Sequence, residues 1–278
     1  MHIFFSSFLC IFFLNISFVF ADSLSESLDL SYHVGPYQKY YPPEPLLTNS
    51  VLRGALRRHR NVKHLDLSHN GTFPASLKYL PRFTKLETLE LVHSLIAEHE
   101  LAYIDELPKL RTLSLSFHRW PSCEVALPHL LSLEKLCIHN SFTYPDGKYG
   151  IHTTNLSITG CINVKSLELQ ESYDYDGPIK IKLDTVGKTL KQLEHLCIRD
   201  YCIDLADLQD FKKLKSLKLE NCHIKIPKKV EDKVFLLSLK QLSVKECNFT
   251  EDELKYLIRQ CQCSSKNAPI FSKTGHSI

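Results

Sequence analysis

Leu193, Leu196 and Ile198, and 21 residues further on Leu214, Leu217 and Leu219, mark the two stretches on which the fold turns. Both read as an apolar residue, two variable residues, and then two apolar residues separated by one. In the final triplet, side chains alternate between strand faces, so the apolar pair shares one face and the residue between them takes the other. The same spacing recurs at Val62, Leu65 and Leu67; Leu86, Leu89 and Leu91; Leu110, Leu113 and Leu115; and Leu133, Leu136 and Ile138. Val164, Leu167 and Leu169, then Leu239, Leu242 and Val244, bring the total to eight. Between middle anchors the steps are 24, 24, 23, 31, 29, 21 and 25 residues. One such strand cannot bury its own face, so consecutive units stack into a parallel sheet. The segments between them add core residues such as Leu77 and Leu80, Leu101 and Ile104, or Leu205 and Leu208.

Eight matches in one register resemble the leucine-rich-repeat family across residues 62 to 261. The resemblance implies an α/β solenoid: a curved right-handed superhelix of about eight repeats with a parallel concave sheet. Five residues after each middle anchor stand Asn70, Ser94, His118, Ser141, Ser172, Tyr201, Cys222 and Cys247. In the family this place is Asn or Cys, which bonds the backbone of neighbouring turns. Asn70, Cys222 and Cys247 match, and the middle repeats are expected to satisfy those groups differently. Near the carboxyl end, Cys247 followed by Thr250 and Glu253 resembles the cysteine-containing, ribonuclease-inhibitor-like subtype. Thr250 and Glu253 form a capping box before a helix that buries Leu254, Leu257 and Ile258.

The flanks read differently. His2 to Phe20 is almost wholly apolar, and Val19 and Ala21 precede Asp22 as small residues at a cleavage site, so residues 1–21 read as a secretory signal peptide. An uncleaved membrane anchor is the alternative, since the run approaches spanning length. The mature chain is then expected to be secreted, with no membrane span. Residues 22–49 read as a Tyr/Pro-rich extended lead-in without periodicity, and residues 50–61 as a cap helix begun by Ser50. Leu52, Ala55 and Leu56 of that helix would cover the open end of the repeats at 62–263. Residues 264–278 read as a polar tail.

Without Cys10, nine cysteines remain, and an odd number leaves at least one thiol unpaired. Cys137 and Cys197 sit between anchors, so they are expected to be exposed on the concave sheet, about 10 Å apart and beyond disulfide reach. Cys261 and Cys263 leave bridges to Cys247 or Cys222 open. Of three sequons, Asn70 and Asn248 are expected to be packed, which leaves Asn155 as the glycosylation candidate.

Chemistry is not expected. The net charge of +3 gives no bulk case for nucleic acid, and no HExxH, GxSxG, GxxxxGK or GxGxxG motif occurs. His64 and His195 share a strand position but lie about 24 Å apart, five strand spacings. No catalytic residue, metal site or cofactor follows. Arg53, Arg57, Arg58, His59 and Arg60 form the densest basic run, read as a solvated helix face with a phosphate site as the alternative. The partner is expected to be a protein. One candidate surface is the charged concave sheet, including Arg199, Lys218 and Lys245. The other is an aromatic rim of the middle repeats: Trp120, Phe142, Tyr144, Tyr149, Tyr173, Tyr175 and Tyr201. Two functional classes remain, a secreted recognition module and an intracellular adaptor or enzyme inhibitor.

Overall fold

The structure, a computed structural model, describes residues 26–31, 48–72, 77–96, 98–117, 124–125, 129–140, 153–155, 157–158, 160–171, 179–226, 238–248 and 270–272. Ten of its strands form one sheet in chain order: β1 (Ser27–Asp29), β2 (His64–Asp66), β3 (Thr88–Leu91), β4 (Thr112–Phe117) and β5 (Lys135–Asn140), continued by β6 (Ser166–Glu171), β7 (His195–Arg199), β8 (Ser216–Glu220), β9 (Gln241–Lys245) and β10 (Ile270–Ser272). Every neighbouring pair is parallel. Leu65 lies opposite Leu89, and the register continues through Leu113, Leu136, Leu167, Leu196, Leu217 and Leu242. All of these, and the second anchors from Leu67 to Val244, are buried. A slip of one residue would turn either row to water, so the apolar pattern itself sets the pairing.

A further regularity lies at the entries to β3 through β8. Phe83, Leu107, Leu130, Cys161, Leu190 and Phe211 stand three residues before the first anchor and are buried. Each carbonyl accepts the N–H of that anchor, from Leu86 to Leu214, at 3.0 to 3.3 Å. The chain therefore enters β3 to β8 through the same tight turn, pinned at both ends by core side chains.

The exit turns after β2, β3, β7, β8 and β9 are equally specific. His69, His93, Asp200, Asn221 and Glu246 all have φ between 52° and 69°, and each immediately precedes one of the expected ladder residues. His, Asp and Asn are among the side chains that enter this left-handed region most readily. The turn lets the next residue aim inward.

Beyond the exits, Thr153–Asn155, Ile179–Lys182, Tyr201–Asp204 and His223–Lys225 form a second parallel sheet along the flank. Ile181, Ile203 and Ile224 align across it and are buried. The return segments carry short helices, Leu77–Arg82, Ala102–Asp105, Asp184–Thr189 and Leu205–Asp210. Leu77, Leu80, Leu101, Ile104, Leu205 and Leu208 are buried in the core, as the sequence predicts. Gly187 in the third of these segments sits so close to the next that a Cβ there would lie 2.9 Å from Asp210 Cβ.

Both ends depart from the expectations. The lead-in contributes β1, where Leu28 pairs with Leu65 and is itself buried; Leu28 and Leu30 are a truncated copy of the anchor pair. The cap helix α1 runs Asn49–Arg58 and is capped by the Thr48 hydroxyl, which accepts the Val51 N–H, not by Ser50. Its buried residues are Leu52, Ala55 and Leu56. In the segment read as a polar tail, β10 pairs with β9, Phe271 opposite Val244. The tail is thus in part a closing strand, which covers an edge that would otherwise present unpaired backbone. The capping box expected at Thr250 and the helix expected after it fall outside the described residues. Among the described residues no helix is long and apolar enough to cross a membrane.

Candidate recognition surfaces

Side chains between the anchors form rows across the concave face. The central row runs Asp29, Asp66, Glu90, Ser114, Cys137, Glu168, Cys197, Lys218 and Ser243. At its amino-terminal end the carboxylates of Asp29 and Asp66 accept the N–H groups of Ser31 and Ser68, both at 2.8 Å, which ties them to their own turns. Burial and the neighbouring Asp66 push the Glu90 carboxyl above its ordinary range.

Toward the carboxyl end, charge is neutralised within the face. Arg199 Nη1 donates to Glu168 Oε1 at 2.7 Å and its Nε to Glu220 Oε2 at 2.6 Å, while Lys218 Nζ reaches Glu220 Oε1 at 2.9 Å. Burial alone would raise the Glu220 carboxyl, but Lys218 and Arg199 hold it below the ordinary carboxylate range. Arg199 and Lys218, expected as partner contacts, are therefore committed to an internal network across β6, β7 and β8. Lys245 is exposed and pairs with Glu246 at 3.5 Å.

Cys137 is only 5% exposed, which corrects the expected open thiol. It shares its row with Ser114 and Glu168 and lies 3.8 Å from Glu168 Oε2. Burial raises the thiols of Cys137, Cys197 and Cys202, and lifts Cys161 to about 11, so each favours the unreactive protonated form.

At the strand exits, Asn70 Nδ2 donates to the Leu67 carbonyl at 2.8 Å and to those of Leu30 and Ser68 at 3.2 Å. Ser94 Oγ donates to the same Leu67 carbonyl at 2.9 Å, so serine also serves in this ladder. Cys222 Sγ donates to Ile198 O and Cys247 Sγ to Leu219 O, each one repeat back. The neighbouring Cys247 sulfur, with burial, pushes the Cys222 thiol far up. Cys222 and Cys247 are free thiols. Tyr201, expected on the rim, is 2% exposed and belongs to the core, because the ladder position points inward after the left-handed residue Asp200. The other expected rim residues, Trp120, Phe142, Tyr144, Tyr149, Tyr173 and Tyr175, lie outside the described residues. Asn155 lies on the flanking strand, opposite Lys182. Asn248, expected to be packed, is exposed, with its N–H donating to Cys222 O at 3.0 Å.

The entry side of the sheet carries an order that the mixed charge of the sequence conceals. Glu26, Lys63, Glu87, Arg111, Glu134, Lys165, Glu194 and Lys215 stack on one another, each N–H bonded to the carbonyl of the residue before it in this series. Their signs alternate strictly until Lys240 follows Lys215. Three neighbouring pairs close as ion pairs: Lys63–Glu26 and Lys215–Glu194 at 2.7 Å and Arg111–Glu134 at 3.5 Å. Every member stands two residues before a middle anchor or, for Glu26, before Leu28, so the alternation is legible in the sequence once the register is known. Beside this ladder a groove is lined by Pro108, Leu131 and Asn163.

At the amino-terminal cap, Arg53, Lys78 and Arg82 surround the Tyr79 ring, 5.3 to 5.8 Å from its centre. The basic run of α1 thus continues onto the first return segment. Among the described residues no three His, Cys, Asp or Glu side chains gather as a metal-holding group. His64 and His195 occupy one row, on β2 and β7.

No protein-family model matches the chain, and no curated relative does. Solved structures do. TLR13 in its complex with ssRNA13 is similar at a TM-score of 0.52 and 19% identity, over 83% of this chain and 31% of that chain. Internalin C2 of Listeria monocytogenes aligns at a TM-score of 0.42 and 19% identity, over 82% of this chain and 84% of its own. The mouse RP105/MD-1 complex aligns at 0.35 and 14%, over 90% and 50%. The in-register parallel sheet, the inward ladder and the likeness to TLR13 agree on the architecture: this chain folds as an α/β leucine-rich-repeat solenoid.

Proposed function

We propose that this chain is a secreted, non-enzymatic recognition protein that binds a protein partner through the exit rim of its middle repeats and the adjoining concave face. One observation carries this reading. The two long insertions, residues 141–152 and 172–178, leave from Asn140 and Glu171, which are register partners on β5 and β6. They return at Thr153–Asn155 and Ile179–Lys182, which also pair. Two aromatic-rich segments, with Phe142, Tyr144 and Tyr149 in one and Tyr173 and Tyr175 in the other, therefore start and finish side by side. Trp120 follows β4 one repeat earlier. Aromatic anchors of this kind dominate interface energetics, and insertions on one side of a repeat array often mark its binding side. The internally neutralised network around Arg199 suits a preorganised polar floor beside them better than a free cationic contact.

Replacing Trp120, Tyr144 and Tyr175 together with Ala is expected to weaken capture of a partner by tenfold or more while leaving the melting temperature unchanged. Unchanged capture of an identified partner would remove the rim from the reading. Secretion rests on residues 1–21, and a mature chain beginning at Asp22 is the expected result of amino-terminal sequencing.

A second reading, an intracellular adaptor or inhibitor, is favoured by the free thiols. Cys222 and Cys247 act as hydrogen-bonding ladder residues, a use of cysteine suited to a reducing compartment. A chain that retains Met1 would count against secretion.

A further inference from the structure

We infer that the entry side of the middle repeats is an interface for a second copy of this chain. This surface is separate from the aromatic rim, and its evidence is independent of the proposed function.

Two observations meet there. The first is apolar exposure. Leu131 is 58% exposed and Ile162 50%, although most large apolar side chains of the described residues are buried. They occupy the same position of consecutive entry turns, and Asn163 Nδ2 bonds the Leu131 carbonyl at 2.8 Å, which holds those turns together. Pro108 holds that position one turn earlier and is exposed too, so the three form a short apolar stripe.

The second is charge order. A strictly alternating row is its own complement when it is reversed. Place a two-fold axis between the turns carrying Leu131 and Ile162. Leu131 then meets Ile162 of the second copy, and Ile162 its Leu131. Glu134 faces the other copy's Lys165, Arg111 its Glu194, and Glu87 its Lys215. Each contact occurs twice, as a closed two-fold interface requires. An axis through a turn instead would set Glu134 on Glu134 and Arg111 on Lys165. The alternation therefore selects an axis between turns and opposes one through them. A partner of uniform charge would meet repulsion at every second rung, whereas another copy meets none in this stretch.

Burial within one chain does not account for the stripe, because half or more of Leu131 and Ile162 remains in water. Weak ion pairs along the ladder explain its alternation without explaining those two residues. A second copy explains both.

Sedimentation velocity of the purified full chain at low salt tests the inference. A reversible dimer is expected at concentrations on the order of 10 µM, as suits a small interface. The double substitution Leu131→Glu with Ile162→Glu, and separately Glu134→Lys, should each weaken association at least tenfold. Combining Glu134→Lys with Lys165→Glu should restore it. Within one chain that pair of changes sets a new lysine beside Arg111 and a new glutamate beside Glu194, so recovery would report contacts between chains. Val51→Glu, altering an exposed apolar side chain on α1, should leave association unchanged. All these positions face solvent, and thermal melts are expected to coincide with that of the parent. A chain that stays monomeric, a dimer indifferent to Leu131→Glu with Ile162→Glu, or a charge exchange that fails to restore association would each overturn the inference.

Discussion

The two sides of the solenoid treat the same repeat in opposite ways. At the entries to β3 through β8 the turns are alike: a buried residue, a tight turn, the first anchor, and a charge whose sign alternates from rung to rung. At the exits the chain improvises, with Asn70, Ser94, Tyr201, Cys222 and Cys247 in one structural place, and with insertions of different lengths after β5 and β6. The entry turn is short and pinned by core side chains at both ends, so little variation survives there. The exits after β2, β3, β7, β8 and β9 need only a left-handed residue and an inward side chain that satisfies carbonyls, which several chemistries supply. Past that point the chain is free to lengthen, and sites evolve most readily on such loops.

Substitutions can break this comparison, and the entry should be the more brittle side. Phe83→Ala empties a fully buried position and should lower stability by about 3–5 kcal/mol in denaturant unfolding. A loss no larger than that of a surface change would mean that the entry turn is not a core element. At the exit, Asn70→Ala strips a donor from the Leu67, Leu30 and Ser68 carbonyls and should cost about 1–3 kcal/mol. Asn70→Ser should recover part of that loss, since Ser94 already serves one repeat on. If serine recovers nothing, the tolerance attributed to the exits is wrong.

The smallest effect concerns the network between these sides. Glu220 is held below its ordinary range by Lys218 and Arg199, so its contribution is fully present above the unfolded carboxylate pKa and is lost as pH falls through the depressed folded value. The difference in stability between the parent and Glu220→Gln should be constant from neutral pH to about 5 and shrink below about 4. It should stay near 1 kcal/mol, because the pair is part-exposed. A difference that grows on acidification would contradict the assigned pairing.

Much of this architecture is legible in the residues. Anchor spacing gives the strands, their parallel order and their register. The return-segment leucines fall where the pattern puts them, and Leu52, Ala55 and Leu56 give the buried face of the cap helix. What escapes the pattern escapes for physical reasons. Leu28 and Leu30 are too short a signal to stand out beside the Tyr/Pro lead-in, yet β2 offers an open edge with the matching register. Cys161 occupies the place of Phe83 and Leu107, but a lone cysteine does not announce a core position. Cys137 alternates outward as expected, yet its neighbours on the concave face close over it. Tyr201 follows an aromatic phase in the sequence, and the left-handed turn at Asp200 sends it inward.

The amino-acid sequence by itself determines that this protein is a stack of short parallel strands, because a repeated apolar pair can be buried only against copies of itself. It also contains the alternating charges, residue by residue. Tertiary structure alone decides which of those charges are spent on one another, which thiols are closed off, and that Leu131 and Ile162 end beside each other in water. Those outcomes depend on neighbours one repeat away, more than twenty residues distant in the chain and about 4.8 Å distant in space.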